Sequence, residues 1–120
     1  MALYDDIGGA ASVRAALDAF YPRVLADTKL SPFFEGVDIK RLKQIQEGFF
    51  AMALGGPSNY AGRNLVEAHA RSRHRGMDDD SFDHFLLVFK GVLVDLGLPD
   101  QKIGELLDVF EGARAHVLNR

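Results

Sequence analysis

A chain of 120 residues with 48% hydrophobic and 26% charged residues suits one domain around one core, and lies outside the apolar-poor range of disordered chains. Its net charge of −3 argues against broad nucleic-acid affinity, and the lack of cysteine removes disulfides, thiolate metal sites and cysteine nucleophiles. No apolar run of about 18 residues spans a bilayer, and the acidic start at Asp5 and Asp6 is unlike a signal peptide, so a single cytoplasmic domain over residues 1–120 is expected.

Val13, Leu17, Phe20, Tyr21, Val24 and Leu25 recur at three-and-four spacing, which predicts a first long helix with one apolar face. Gly8 and Gly9 punctuate its start, and Asp27, Thr28 and Ser31-Pro32 its end. Pro22 lacks a backbone N–H and crowds the preceding turn, so a kink or a shifted hydrogen-bond ladder is expected there. Phe33 and Phe34 close a short connection before Asp38, the N-cap of a second helix with Ile39, Leu42, Ile45, Gln46, Phe49, Phe50 and Ala53 on one side.

The stretch from Gly55-Gly56-Pro57 to Gly62 predicts a loop long enough to serve a function, followed by a short helix around Leu65 to Ala70. Asp78-Asp79-Asp80 then opens the next helix. Hard-cation sites need about six converging oxygens, so the triplet is read as a helix start, where negative charge meets the positive end of the dipole. Phe82, Phe85, Leu86, Phe89, Leu93 and Leu96 form a third stripe. Gly97 and Pro99 end it and begin a fourth through Ile103, Leu106, Leu107, Phe110, Ala113 and Val117. No strand-like alternation or internal repeat interrupts this pattern, and the class is all-α.

A phosphate-binding glycine loop, a His-Glu-x-x-His helix and a serine elbow are all missing. What remains is polar residues set in apolar stripes, which are costly to bury without a partner. Tyr21 and Gln46 project from the inward faces of two different helices and can share one cavity. Of the four histidines, His69 falls four residues after Leu65 on the inward side of its short helix. His84 lies off the phenylalanine stripe and is expected at the surface. His74, among Arg71, Arg73 and Arg75, reads as a wet basic edge.

Leu3-Tyr4 ahead of Ile7-Gly8-Gly9, the run from Phe20 to Leu25, Ser31-Pro32-Phe33-Phe34, Gln46 to Phe50, Leu54-Gly55-Gly56-Pro57, Tyr60 to Arg63 and Glu67-Ala68-His69 together resemble the group I truncated haemoglobins over nearly the whole chain. The resemblance implies a two-over-two helical sandwich around haem b. It makes His69 the iron ligand and places Phe34 on the porphyrin, with Leu65 and Phe82 as further cofactor contacts and Tyr21 with Gln46 beside the bound gas. Apolar Leu42, Ile45, Phe49 and Phe50 keep such a pocket dry. Neutral imidazole is a good iron ligand, and a hydroxyl or amide can stabilise the partial negative charge on bound dioxygen.

The chain departs from the family's pattern at Leu42, where many relatives carry a distal glutamine, and at Ile45, where some carry a second iron ligand. His74 and its arginines could meet haem propionates. His116 resembles, at a shifted register, the late histidine that some relatives join to a haem vinyl, although a surface histidine is the stronger reading. Two functions follow from such a pocket: reversible binding of dioxygen, nitric oxide or carbon monoxide for storage, transport or sensing, and nitric oxide dioxygenation yielding nitrate, which needs a reductase. A cofactor-free helical interaction module is the third class.

Overall fold

Gly8, with φ at 110°, occupies a left-handed backbone conformation in which a Cβ would also collide with the Ser12 hydroxyl, so this position fixes where the first long helix begins. The structure, a computed structural model, describes residues 3–55 and 76–118. Within them the chain forms α1 (Leu3–Asp6), α2 (Gly9–Ala26), a 3-10 turn (Ser31–Phe34), α3 (Ile39–Ala53), α4 (Asp79–Asp95), α5 (Asp100–Glu111) and α6 (Arg114–Leu118), with no strand among the described residues.

The helix boundaries follow local chemistry. Asp38 accepts a bond from the Arg41 amide at 3.2 Å and caps α3, and Asp78 does the same for α4 from the Ser81 amide at 2.9 Å. Asp79 and Asp80 fill the first turn of α4, so the acidic triplet serves the helix start. Gly97, with φ at 81°, ends α4: its amide bonds the Val94 carbonyl at 3.0 Å and the Leu98 amide bonds the Leu93 carbonyl at 3.2 Å, the paired closure that a left-handed glycine permits.

α2 remains helical across Pro22 and continues to Ala26. The proline faces solvent, as does Asp18 four residues earlier, so the carbonyl left without a donor lies where water can reach it. The expected fourth helix, by contrast, is divided. α5 stops at Glu111 and α6 restarts at Arg114, after a tight turn in which the Ala113 amide bonds the Phe110 carbonyl at 3.0 Å. Arg114 holds the break: it bonds Glu111 at 2.8 Å, Asp79 at 2.9 Å and also Asp83, and it covers the Phe82 ring at 4.7 Å.

Two helix pairs carry the core. Arg14 with Glu47 and Asp18 with Lys43 pair residues that rise in α2 as they fall in α3, so these helices run antiparallel. α4 and α5 form the second pair through the Gly97 closure. Ala16, Leu54, Phe89, Val92, Leu93, Ile103 and Leu106 join the pairs in one buried cluster, and the Tyr4 amide ties α1 to the Leu54 carbonyl at 3.0 Å. Two smaller clusters lie along α2, one around Val13, Leu17 and Tyr21 and the other around Val24, Leu30 and Phe33. Leu25, expected inside, is 44% exposed in the last turn of α2. Among the described residues no helix is long and apolar enough to cross a membrane.

Candidate functional site beside Tyr21

Tyr21 lies on the inward face of α2, one turn before the buried Val24, and is 4% exposed. Its ring is fixed edge-on by Phe20 at 5.3 Å and by Phe34 at 5.8 Å. Phe34 reaches it because Pro32 starts the 3-10 turn, which swings the Phe33-Phe34 pair back under α2. From α3, Leu42 and Phe50 pack against the same cluster, as does Ile39. Four residues expected from sequence to share a pocket, Tyr21, Phe34, Leu42 and Phe50, therefore come together from three separate elements.

The electrostatics of this cluster are set by burial. Loss of water pushes the Tyr21 phenol well above its ordinary value of 10.0, with no hydrogen bond contributing, so the group stays a neutral O–H donor. Among the described residues the hydroxyl has no hydrogen-bond partner. A nearly buried donor in apolar surroundings is well suited to a polar ligand.

The other expected residues divide. Gln46 stands one turn beyond Leu42 on α3 and is half-buried, and Phe49 is half-buried beside Phe50 with ring centroids 6.2 Å apart. Ile45 is 44% exposed. Phe82 is buried at the start of α4 under the Arg114 guanidinium, apart from the Tyr21 cluster. Leu65, His69 and His74, together with the loop to Gly62 and the short helix around Leu65 to Ala70, lie outside the described residues, and so does the His116 side chain.

One polar link had no counterpart in the sequence reading. His84, expected at the surface, is half-buried, and its Nε2 meets Asp27 Oδ2 at 2.6 Å across 57 residues of chain. It lies off the phenylalanine stripe, and nothing local in the sequence reveals so distant a partner. The bond from His84 is the main cause that holds the Asp27 carboxyl below its ordinary value of 3.8, with the Lys29 and Leu30 amides adding to it.

Comparison with known proteins agrees with this architecture. The family model described as bacterial-like globin matches residues 2–119. A group 1 truncated hemoglobin of Tetrahymena thermophila is 34% identical over 118 residues, covering 98% of this chain and 95% of its own length. A group 1 truncated hemoglobin of Synechocystis is 36% identical over 122 residues, covering 98% of each. Among solved structures, the 2/2 hemoglobin of Synechococcus, in the cyanomet state and with covalently attached heme, superposes with a TM-score of 0.93 at 33% identity over 100% of both chains. The truncated hemoglobin of Tetrahymena pyriformis in its Fe(III) form gives a TM-score of 0.91 at 33% identity over 98% of both.

Proposed function

The chain belongs to the bacterial-like globin family, and on that premise we propose that it binds haem b and reversibly holds dioxygen and other diatomic gases beside Tyr21. The observation that carries this reading is the Tyr21 hydroxyl: nearly buried, neutral, ringed by apolar side chains and without a hydrogen-bond partner among the described residues. Such a donor fits a pocket built for a small, partly charged ligand. His69, at the histidine position that the family resemblance implies, would hold the iron. Phe34, Leu65 and Phe82 would supply apolar contacts to the macrocycle.

Haem, when bound, supplies the iron at which a diatomic gas is held and on which dioxygen takes up partial negative charge. The chain's own residues do the rest. Tyr21 would offer its hydroxyl as a hydrogen-bond donor to such a ligand, and Gln46 its amide as a second donor. Leu42, Phe49 and Phe50 exclude the water that would otherwise compete for the same bonds, which strengthens them. Ile45, expected to help keep the pocket dry, is 44% exposed and does not join that cluster.

The test is the visible spectrum of the purified, haem-reconstituted protein. A Soret band, a pyridine haemochrome of the b type and a reversible change on cycling ferrous protein between argon and dioxygen are expected. Failure to take up haem would leave a helical module with a packed tyrosine and would refute the proposal. Nitrate formation from nitric oxide, with a reductase supplied, distinguishes turnover from storage or carriage by the same cytoplasmic protein.

A further inference from the structure

Asp27, the first residue after α2, makes more bonds than a helix end needs. Its Oδ1 accepts the Lys29 amide at 2.9 Å and the Leu30 amide at 3.3 Å, and its backbone carbonyl accepts the Leu30 amide at 3.2 Å and the Ser31 amide at 2.9 Å. These bonds wind the chain into the 3-10 turn. The second carboxylate oxygen is left for α4, where His84 Nε2 reaches it at 2.6 Å. An ionised carboxylate only accepts, so Nε2 carries the proton.

The neighbour of His84 on α4 is Phe85, and it faces the same turn. Phe85 meets Phe33 at 6.0 Å, Phe34 at 5.8 Å and Phe20 at 6.3 Å. Phe34 in turn stands edge-on to Tyr21 at 5.8 Å. Phe34 is therefore gripped between a ring of α4 and the tyrosine of α2, while the His84–Asp27 bond fixes the distance between the turn that carries Phe34 and the helix that carries Phe85. Leu30, 0% exposed, and Phe33 anchor the turn from below, so movement of this corner is transmitted to Phe34 and not absorbed by a loose loop.

We propose that His84, through its bond to Asp27, is a positioning residue for Tyr21: it locks the corner that wedges Phe34 against the tyrosine ring and so aims the hydroxyl. The consequence for gas binding rests on the role of Tyr21 proposed above. The placement of the ring does not.

Two variants separate the parts of the argument. In His84→Phe the donor is lost. In His84→Gln an amide nitrogen stands about where Nε2 was, and the bond to Asp27 is kept. In the diamagnetic carbon monoxide form of the holoprotein, proton NMR contacts between the Phe34 and Tyr21 rings are expected in the wild type and in His84→Gln, and are weakened or lost in His84→Phe. Dioxygen release is expected to be faster by about three- to tenfold in His84→Phe, less than full deletion of the hydroxyl because the bond is misdirected and not removed. Carbon monoxide release should stay within about twofold of wild type. In a Tyr21→Phe background the His84→Phe change should add nothing to dioxygen release, which a general loosening of the fold would not reproduce.

Unchanged ring contacts in His84→Phe overturn the inference, whatever the gas rates do. Lost ring contacts with no effect of Tyr21→Phe on dioxygen keep the positioning of the ring and remove the gas-stabilising role of Tyr21. Equal acceleration of both gases, persisting in the Tyr21→Phe background, assigns His84 to stability alone.

Discussion

Replacing Tyr21 with phenylalanine removes one oxygen atom and leaves the ring in its cage. Phe20, Phe34 and the Val13–Leu17 cluster hold the six-membered ring with or without the hydroxyl, so geometry elsewhere in the pocket is conserved. A hydrogen bond to a charged acceptor is worth about 1.5 to 3 kcal/mol, and about 1.4 kcal/mol corresponds to a factor of ten. Dioxygen should therefore leave Tyr21→Phe about ten to a hundred times faster than wild type, while carbon monoxide, which carries little negative charge when bound, leaves at nearly the same rate. Stopped-flow displacement of each gas reads both numbers, with Tyr4→Phe as the control. The structure adds a second readout. A nearly buried hydroxyl without a partner among the described residues contributes nothing to folding, so the gas-free variant should melt at or slightly above the wild-type temperature. Equal, small effects on the two gases, or a clear drop in melting temperature, would refute the reasoning, because either would mean that the hydroxyl is spent on a protein partner.

His69→Ala should lose haem or the native Soret band and His74→Ala should keep both, and the opposite pattern would move the iron ligand to His74. Ferrous protein without added gas should be mainly five-coordinate by resonance Raman, since Leu42 and Ile45 offer no imidazole. A dominant six-coordinate low-spin spectrum would contradict that. Asp27 has a folded-state pKa below its ordinary 3.8, so the stability it adds is complete above that value and is lost as pH falls through the lower folded one. The melting-temperature advantage of wild type over Asp27→Asn should accordingly shrink as pH falls below the ordinary carboxylate value, and a difference that stays the same down to pH of about 2 would rule out the carboxylate as its source. Tyr21 moves the other way, above 10.0, so phenolate absorbance at pH about 11 should be the same in wild type and Tyr21→Phe until the protein unfolds.

The parts of the fold that could be read from sequence are those written by local rules. Stripes at three-and-four spacing marked α2 to α5, and the side chains of Asp38 and Asp78 and the left-handed Gly97 marked their ends, because each depends on neighbours within a few residues. α1 is four residues long and leans on a backbone bond to Leu54, so no period could announce it. The division between α5 and α6 depends on Arg114 finding two carboxylates on α4 as well as Glu111 at the end of α5. Within the site, Tyr21 and Gln46 stood out as polar residues on apolar faces. His69 was singled out by family resemblance as much as by its place beside Leu65. His84 was missed because its partner lies 57 residues away, and the distance along the chain carries no signal of closeness in space.

The ion pairs along the α2–α3 seam do not explain why Tyr21 is where it is. Arg14 is paired with Glu47 at 3.4 Å and Asp18 with Lys43 at 3.2 Å, and one partner in each pair is well exposed, a setting in which a pair contributes about 0 to 1 kcal/mol. Register between the two helices comes instead from Val13, Leu17 and Tyr21 meeting Ile39, Leu42 and Phe50. That apolar seam would hold as well with phenylalanine at position 21, where the tyrosine hydroxyl finds no hydrogen-bond partner among the described residues. Leu42, packed against the tyrosine cluster, supplies no acceptor for the hydroxyl. The hydroxyl is therefore not explained by the packing of the seam, which fits the ligand-donor role proposed for it. The apolar side chains of that shell would strengthen the bond to a small polar ligand held as proposed.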